Sequence, residues 1–157
     1  MSYKIVVDSC CELPEYLKKD PRFEIVPLGL EVGEERIWDD ETFDQHDFLK
    51  KVAQCPECPR SSCPSPERYM NAYETEAENV YVITLSANLS GSYNSAMLGK
   101  TLYEETHGEK NIYVLDSCSA SCGETQLALK AMELEEQGLA FEAVVVLLEE
   151  FLSLIHI

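Results

Sequence analysis

The sequence predicts an α/β fold: a parallel sheet with helices on both faces and a small hairpin at one edge. Three short, continuous apolar runs carry this prediction, at residues 3–7, 80–85 and 111–115. Runs of this kind are typical of parallel strands, because helices cover both faces of a parallel sheet. Helical patterns separate the three runs, and this alternation predicts right-handed crossovers between parallel strands.

A fourth strand is predicted over residues 23–32, where apolar side chains favour one face. Pro27 places this strand near a sheet edge, because proline has no N–H to donate to a strand ladder. A turn at residues 33–35 and a returning strand at residues 36–38 predict the hairpin. Residues 55–64, rich in proline and cysteine, are predicted to form a loop.

Capping residues and apolar side chains at helical spacing predict six helices. Ser9 with Glu12, and Ser121 with Glu124, have the spacing of capping boxes. Ser65 precedes a proline, and a serine cap followed by proline in the first helical position is a strong helix start. The predicted helices cover residues 12–19, 43–54, 65–77, 92–105, 121–138 and 141–152.

Charge and composition exclude several classes of protein. The formal net charge is −17, and such a field repels nucleic acid phosphates, so we expect no nucleic acid partner. No apolar run approaches the roughly 20 residues that span a bilayer, so we expect no stable membrane insertion. Residues 1–4 lead into a strand rather than a signal peptide, so we expect a cytoplasmic protein whose seven cysteines are reduced.

A hydroxyl-rich turn, Leu89-Ser90-Gly91-Ser92, follows the second apolar run. Ligands of open parallel sheets bind beyond the carboxyl ends of strands, where helix N-termini offer unpaired N–H groups. The turn is therefore a candidate anion site. Ser9 and Ser117 follow other strands, and residues 59–65 open another helix. We therefore expect all of these residues on the side of the molecule where the carboxyl ends of the strands lie. Helix capping alone would also explain these serines.

Cysteine spacing supports an alternative function. Cys55 and Cys58 form a Cys-x-x-Cys pair with Cys63 nearby, a spacing compatible with a zinc or redox module. Cys118 and Cys122 would complete a four-thiolate site. Free cysteines also serve as small buried apolar residues, and that interpretation stays open.

A serine hydrolase is a weaker alternative. Residues 91–95 read Gly-Ser-Tyr-Asn-Ser, with serine where the nucleophile elbow has its second glycine. His46 and His107 lie in or near polar segments and His156 lies at the chain end, so surface positions are predicted for all of them. The sequence thus offers no clear general base.

Five segments resemble, in the same order, motifs of the DegV family, bacterial fatty-acid-binding proteins that include the lipid-carrying subunits of fatty acid kinase. Residues 60–65 are similar to a Thr-Ser-Gln-Pro-Ser motif of the family, and residues 89–93 to Leu-Ser-Gly-Thr-Tyr. The other segments resemble the family's opening strand with Asp-Ser, a Val-Pro-Leu strand and a third strand end: residues 4–11, 24–30 and 115–117.

The resemblance implies a carrier without catalytic activity or cofactor. It would bind a long-chain fatty acid and present the carboxylate to a separate fatty acid kinase catalytic subunit, which makes the acyl phosphate. Ser61 stands where the family has the threonine that holds the carboxylate, with Ser62 beside it. Ser90 and the N–H of Gly91 stand at the family's serine contact.

The sequence departs from the family pattern in two respects. Cys63 replaces the family's glutamine, and Ser61 its threonine. Family members also continue into a second domain that closes over the acyl tail, whereas the apolar residues 151–157 do not resemble that continuation. We therefore expect residues 1–157 to form a single α/β domain like the N-terminal domain of DegV proteins, with the C-terminal domain absent.

Overall fold

The computed structural model describes residues 3–155 and contains two sheets. Its strands are β1 (Tyr3–Asp8), β2 (Phe23–Val26), β3 (Gly29–Val32), β4 (Glu35–Trp38), β5 (Arg60–Ser62), β6 (Asn79–Thr84) and β7 (Asn111–Asp116). The main sheet is parallel, in the order β2-β1-β6-β7, and the second is antiparallel, in the order β4-β3-β5. The predicted α/β class and parallel core are confirmed.

All six predicted helices are present, most of them shorter than predicted. They are α1 (Glu15–Lys18), α2 (Gln45–Gln54), α3 (Pro66–Tyr73), α4 (Ser92–His107), α5 (Cys122–Glu136) and α6 (Phe141–Ile155). Among residues 3–155, no helix is long and apolar enough to cross a membrane. His46 and His107 are exposed as predicted, while His156 lies outside the described residues.

Apolar side chains fill both faces of the main sheet. Side chains alternate along a strand, so Ile5 and Val7 of β1 face one side and Val6 the other. One face packs against α5 and α6, and the other against α3 and α4. The buried residues of the first core include Tyr81, Ile83, Leu127 and Leu148, and those of the second Val82, Tyr69, Tyr73 and Ala96. Helices on both faces are thus confirmed.

The predicted strand over residues 23–32 is in fact two strands in different sheets. It breaks at Pro27, which cannot donate to a ladder, and the N–H of Leu28 donates to Ser9 Oγ at 3.1 Å. β2 stays in the main sheet, while β3 forms the hairpin with β4 and also pairs with β5. β5 lies within the segment that was predicted to be a loop.

The first predicted capping box is wrong, because α1 begins only at Glu15 with Pro14 at its N-cap. The Ser9 hydroxyl instead binds the chain at Leu28. The second capping box is formed: Ser121 lies at the N-cap of α5, and its N–H donates to Glu124 Oε1 at 3.1 Å.

Candidate functional site

The carboxyl ends of β1, β6 and β7 lie along one edge of the main sheet, because these strands are parallel neighbours. The turn after β6 is fixed against this edge. The N–H of Ser90 donates to the Ser86 carbonyl at 3.0 Å, and the N–H of Ala87 donates to Asp116 Oδ1 at 3.0 Å. The turn therefore enters α4 in a defined position beside the strand ends.

The Ser90 hydroxyl lies at the N-terminus of α4. Its oxygen accepts the N–H of Ser92 at 3.2 Å and lies 3.0 Å from Ser92 Oγ. Ser90 is half-buried and Gly91 is exposed, whereas Ser92 is fully buried. The first N–H groups of a helix lack partners within the helix, so this turn presents donors to the surface.

The end of β5 lies against the same turn. The thiol of Cys63, the residue after β5, is so close that a Cβ atom at Gly91 would lie 3.0 Å from Cys63 Sγ. Cys63 Sγ also lies 3.6 Å from Ser95 Oγ on α4. This contact joins the segment that carries Ser61 and Ser62 to the segment that carries Ser90.

Ser61 and Ser62 face opposite sides of β5, because side chains alternate along a strand. Arg36 of β4 donates from Nη2 to Ser62 Oγ at 3.3 Å, so the Ser62 hydroxyl lies on the same face of the small sheet as the Arg36 side chain. Ser61 is exposed and faces the other way. The two serines that the sequence grouped together therefore have different surroundings.

Two other strand-end serines stabilise the local backbone. Ser9 Oγ accepts the N–H of Leu28. Ser117 is fully buried, and its Oγ accepts the N–H of Ser119 at 3.1 Å while donating to the Ser119 carbonyl at 3.2 Å. These two hydroxyls therefore bind backbone groups, at Leu28 between β2 and β3 and in the loop that follows β7.

A buried polar cluster, formed by Asp8, Glu124, Ser92 and Tyr69, lies beneath the turn. All four residues are inaccessible to solvent. Asp8 accepts the N–H of Cys10 on Oδ1 at 3.1 Å and the N–H of Leu85 on Oδ2 at 2.8 Å. The Glu124 carboxyl and the Ser92 hydroxyl both adjoin the Asp8 carboxyl, and Ser92 also adjoins the Tyr69 hydroxyl.

Burial raises the pKa of both carboxyl groups in this cluster. For Glu124, burial and the adjacent charge of Asp8 raise the pKa to about 9. For Asp8, burial raises the pKa, and the backbone hydrogen bonds from Leu85 and Cys10 partly oppose the increase. Sequence reasoning missed this pair. Asp8 ends an apolar run and Glu124 belongs to a capping box, but neither signal shows that the two carboxyls meet.

The cysteines give the zinc alternative no support. Among residues 3–155, no group of three or more His, Cys, Asp or Glu side chains is placed to hold a metal ion. Cys63 packs against Gly91, while the Cys55 thiol lies next to Gly33. Burial raises the pKa of the Cys10 and Cys11 thiols to about 12, so both are protonated at neutral pH.

Fold and site together define an α/β protein in which a serine-rich turn at the strand ends meets a small antiparallel sheet. A family model described as "Uncharacterised protein, DegV family" matches residues 2–156. The chain belongs to the DegV family.

Curated relatives include a DegV domain-containing protein of Streptococcus pyogenes serotype M1, 42% identical over 147 residues. Another, from Streptococcus gordonii, is 39% identical over 147 residues. Each match covers 92% of this chain and 52% of the relative. The chain thus spans about half the length of the curated relatives it matches.

Solved structures with the same fold carry fatty acids. A DegV family protein from Ruminococcus gnavus, refined with vaccenic acid, has a TM-score of 0.94 and 51% identity, covering 97% of this chain and 55% of that one. The fatty acid kinase B3 protein of Streptococcus pneumoniae, loaded with linoleic acid, has a TM-score of 0.87 and 34% identity, covering 98% and 55%.

Proposed function

We propose that this protein binds a long-chain fatty acid and holds its carboxylate between β5 and the N-terminus of α4. The Ser61 and Ser90 hydroxyls and the Gly91 N–H are the donors, with Ser62 beside them. The observation that carries the proposal is the contact of Cys63 with Gly91, which joins the two serine segments. The fatty acids bound by the related proteins support the same ligand class.

Tail burial should dominate the affinity, and the serines should fix the position of the carboxylate. Each methylene group removed from water contributes about 0.8 kcal/mol, and a hydrogen bond to a charged group about 1.5 to 3 kcal/mol. The N-terminus of α4 adds about 0.3 to 1 kcal/mol for an anion. The net charge of −17 repels an anionic ligand at long range, but these hydrogen-bond donors attract its carboxylate at short range.

We further propose that the protein is a cytoplasmic carrier that presents the carboxylate to a fatty acid kinase catalytic subunit. One structural neighbour is itself a fatty acid kinase B3 protein. Presentation requires an accessible head group, and the exposure of Ser61 and Gly91 is compatible with this. A carrier needs hydroxyl and N–H donors rather than a nucleophile and a base, and these are what the site offers.

Native mass spectrometry of the protein purified from bacteria should detect a bound acyl chain. Oleate binding should weaken roughly 10- to 100-fold in S90A and S61A, because each loses a hydrogen bond to a charged group. The S62A variant tests whether Ser62, bonded to Arg36, also contributes.

S153A is the matched control, since Ser153 is exposed on α6 and donates to the Glu150 carbonyl. It should bind oleate as the unaltered protein does. A protein that carries no lipid and takes up neither oleate nor palmitate would refute the proposal. Equal effects of S90A and S153A would remove Ser90 from the head-group site.

A further inference from the structure

The buried polar cluster contains two carboxyl groups without a cation. None of the ion pairs formed within residues 3–155 involves Asp8 or Glu124. The other titratable groups that face the pair are the thiols of Cys10 and Cys11 and the hydroxyl of Tyr69. Burial raises the pKa of each of these groups, so they are neutral near pH 7 and offer no positive charge.

Two polar side-chain atoms of the described chain are buried without a hydrogen-bond partner, and both belong to this cluster. They are Glu124 Oε2 and Tyr69 Oη. A buried polar atom that loses its hydrogen bonds to water and finds no partner in the protein destabilises the fold, so such atoms are rare in folded proteins. A proton on Glu124 Oε2 would turn that atom into a donor beside the Asp8 carboxylate.

We propose that Asp8 and Glu124 carry one proton between them, held on Glu124 and donated to Asp8, and that this pair supports the head-group serine Ser90 through Ser92. Two adjacent carboxylates in a buried site cannot both be ionised without a counter-charge. A single proton leaves one negative charge instead of two.

The hydrogen bonds decide which carboxyl carries the proton. Asp8 accepts two backbone N–H groups, one on each oxygen, and such bonds stabilise a carboxylate. Glu124 accepts one, on Oε1 from Ser121, and its other oxygen has no partner. Asp8 is therefore the ionised member and Glu124 the acid. The raised pKa of Glu124 agrees with this order.

Ser92 connects the pair to the surface. Its hydroxyl adjoins Asp8 on one side and lies 3.0 Å from Ser90 Oγ on the other. An ionised Asp8 holds Ser92 as a donor, and Ser92 in turn fixes the position of Ser90. With Ser92 donating to Asp8, the Ser90 hydrogen is the one that joins the two hydroxyls. When that hydrogen turns to a ligand carboxylate, the N–H of Ser92, which donates to Ser90 Oγ at 3.2 Å, keeps the Ser90 oxygen in place. Ser92 is thus a positioning residue, and the shared proton limits the negative charge beneath an anionic ligand. This second role rests on the proposed function.

The shared proton is tested on the ligand-free protein by carbon-13 NMR of side-chain carboxyl groups. The Glu124 signal, assigned from its loss in E124Q, should titrate at about 9. In D8N the Glu124 pKa should fall measurably, because the neighbouring charge is gone. E135Q is the assignment control, since Glu135 is a buried carboxyl on the same helix that accepts hydrogen bonds from Asn79 and Tyr81.

A Glu124 signal that titrates at its ordinary value of 4.5 would overturn the proposal. An unchanged Glu124 pKa in D8N would also overturn it, because burial alone would then explain the shift. Both measurements are made without a fatty acid, so they stand whether or not the chain binds one.

The support of Ser90 is tested by oleate affinity from about pH 7 to about pH 10, where the fatty acid is already ionised. Affinity should fall about tenfold in the unaltered protein, equivalent to one pKa unit of coupling, and stay constant in E124Q. S92A should weaken oleate binding at neutral pH. If the oleate affinity of E124Q falls with pH as it does in the unaltered protein, or if S92A binds oleate normally, the proposed support of Ser90 by the carboxyl pair is overturned. Absence of oleate binding together with a Glu124 pKa near 9 upholds the shared proton and overturns the proposed function.

Discussion

The thiol of Cys63 lies against Gly91, where a Cβ atom would be 3.0 Å from the sulfur. The φ of Gly91 is −76°, a conformation open to any residue, so a side chain at this position is opposed by the contact with Cys63 and not by backbone strain. The contact places the end of β5 beside the N-terminus of α4. It is the geometric basis of the proposed carboxylate site.

G91A should therefore lower the free energy of unfolding by about 1 kcal/mol and weaken oleate binding, because the added methyl group pushes Cys63 away. In the C63A background the same substitution should have little effect, since the obstructing sulfur is gone. Urea denaturation of the unaltered protein, G91A, C63A and the double variant gives the coupling energy between the two positions. Equal destabilisation by G91A in both backgrounds would contradict the role of this contact.

Gly99 should be intolerant of a side chain, because α3 and α4 pack closely at this residue. A Cβ atom there would lie 2.7 Å from the Pro66 carbonyl oxygen and 2.9 Å from Tyr69 Cβ. In an exposed helix, glycine to alanine normally stabilises by about 0.5 to 1 kcal/mol. At Gly99 we expect the opposite sign, a loss of about 1 to 3 kcal/mol in thermal or urea unfolding.

The control for this substitution is E105A on the exposed side of α4. It should change the stability by no more than about 0.5 kcal/mol. If G99A proved as stable as the unaltered protein, the close approach of α3 and α4 would be wrong. Oleate affinity should fall with G99A as well, because the separation of these helices displaces Tyr69 and the cluster under Ser90.

The pKa of Glu124 predicts how stability depends on pH. It is raised from 4.5 to about 9, so between these values the folded protein binds more protons than the unfolded chain. The free energy of unfolding should then decrease as pH rises through this window, by at most about 1.4 kcal/mol per pH unit for this group. Below the window the group causes no such loss.

The measurement is the difference in unfolding free energy between the unaltered protein and E124Q across that pH range, since other titrating groups cancel in the difference. E124Q should become relatively more stable with increasing pH. A constant difference would show that Glu124 ionises normally in the folded state. E135Q, measured in the same way, controls for removing a buried carboxyl from α5.

Thiol reactivity should follow burial. Cys58, Cys118 and Cys122 are exposed and should react with iodoacetamide or Ellman's reagent in the native protein. Cys10 and Cys11 should react only on unfolding, because burial raises their pKa to about 12 and the thiolate is the reactive form. Stoichiometric zinc by elemental analysis, with protected Cys55 and Cys58, would instead restore the metal alternative.

The sequence determined the local features of the protein. Continuous apolar runs predicted β1, β6 and β7, and helical spacing with caps predicted the six helices, because these patterns depend on neighbouring residues along the chain. The motif order predicted the family. The position of the turn at Ser90, directly after a buried strand, was also available from local pattern alone.

Only the tertiary structure decided where distant segments meet. The break at Pro27 sends β3 into a second sheet, where β5 pairs with it, and this arrangement delivers Cys63 to Gly91. The packing of α5 on the main sheet brings Glu124 to Asp8. The spacing of residues along the chain does not predict such contacts, because they arise from the close packing of elements that are far apart in the sequence. In that packing a single side chain can decide whether two segments fit together.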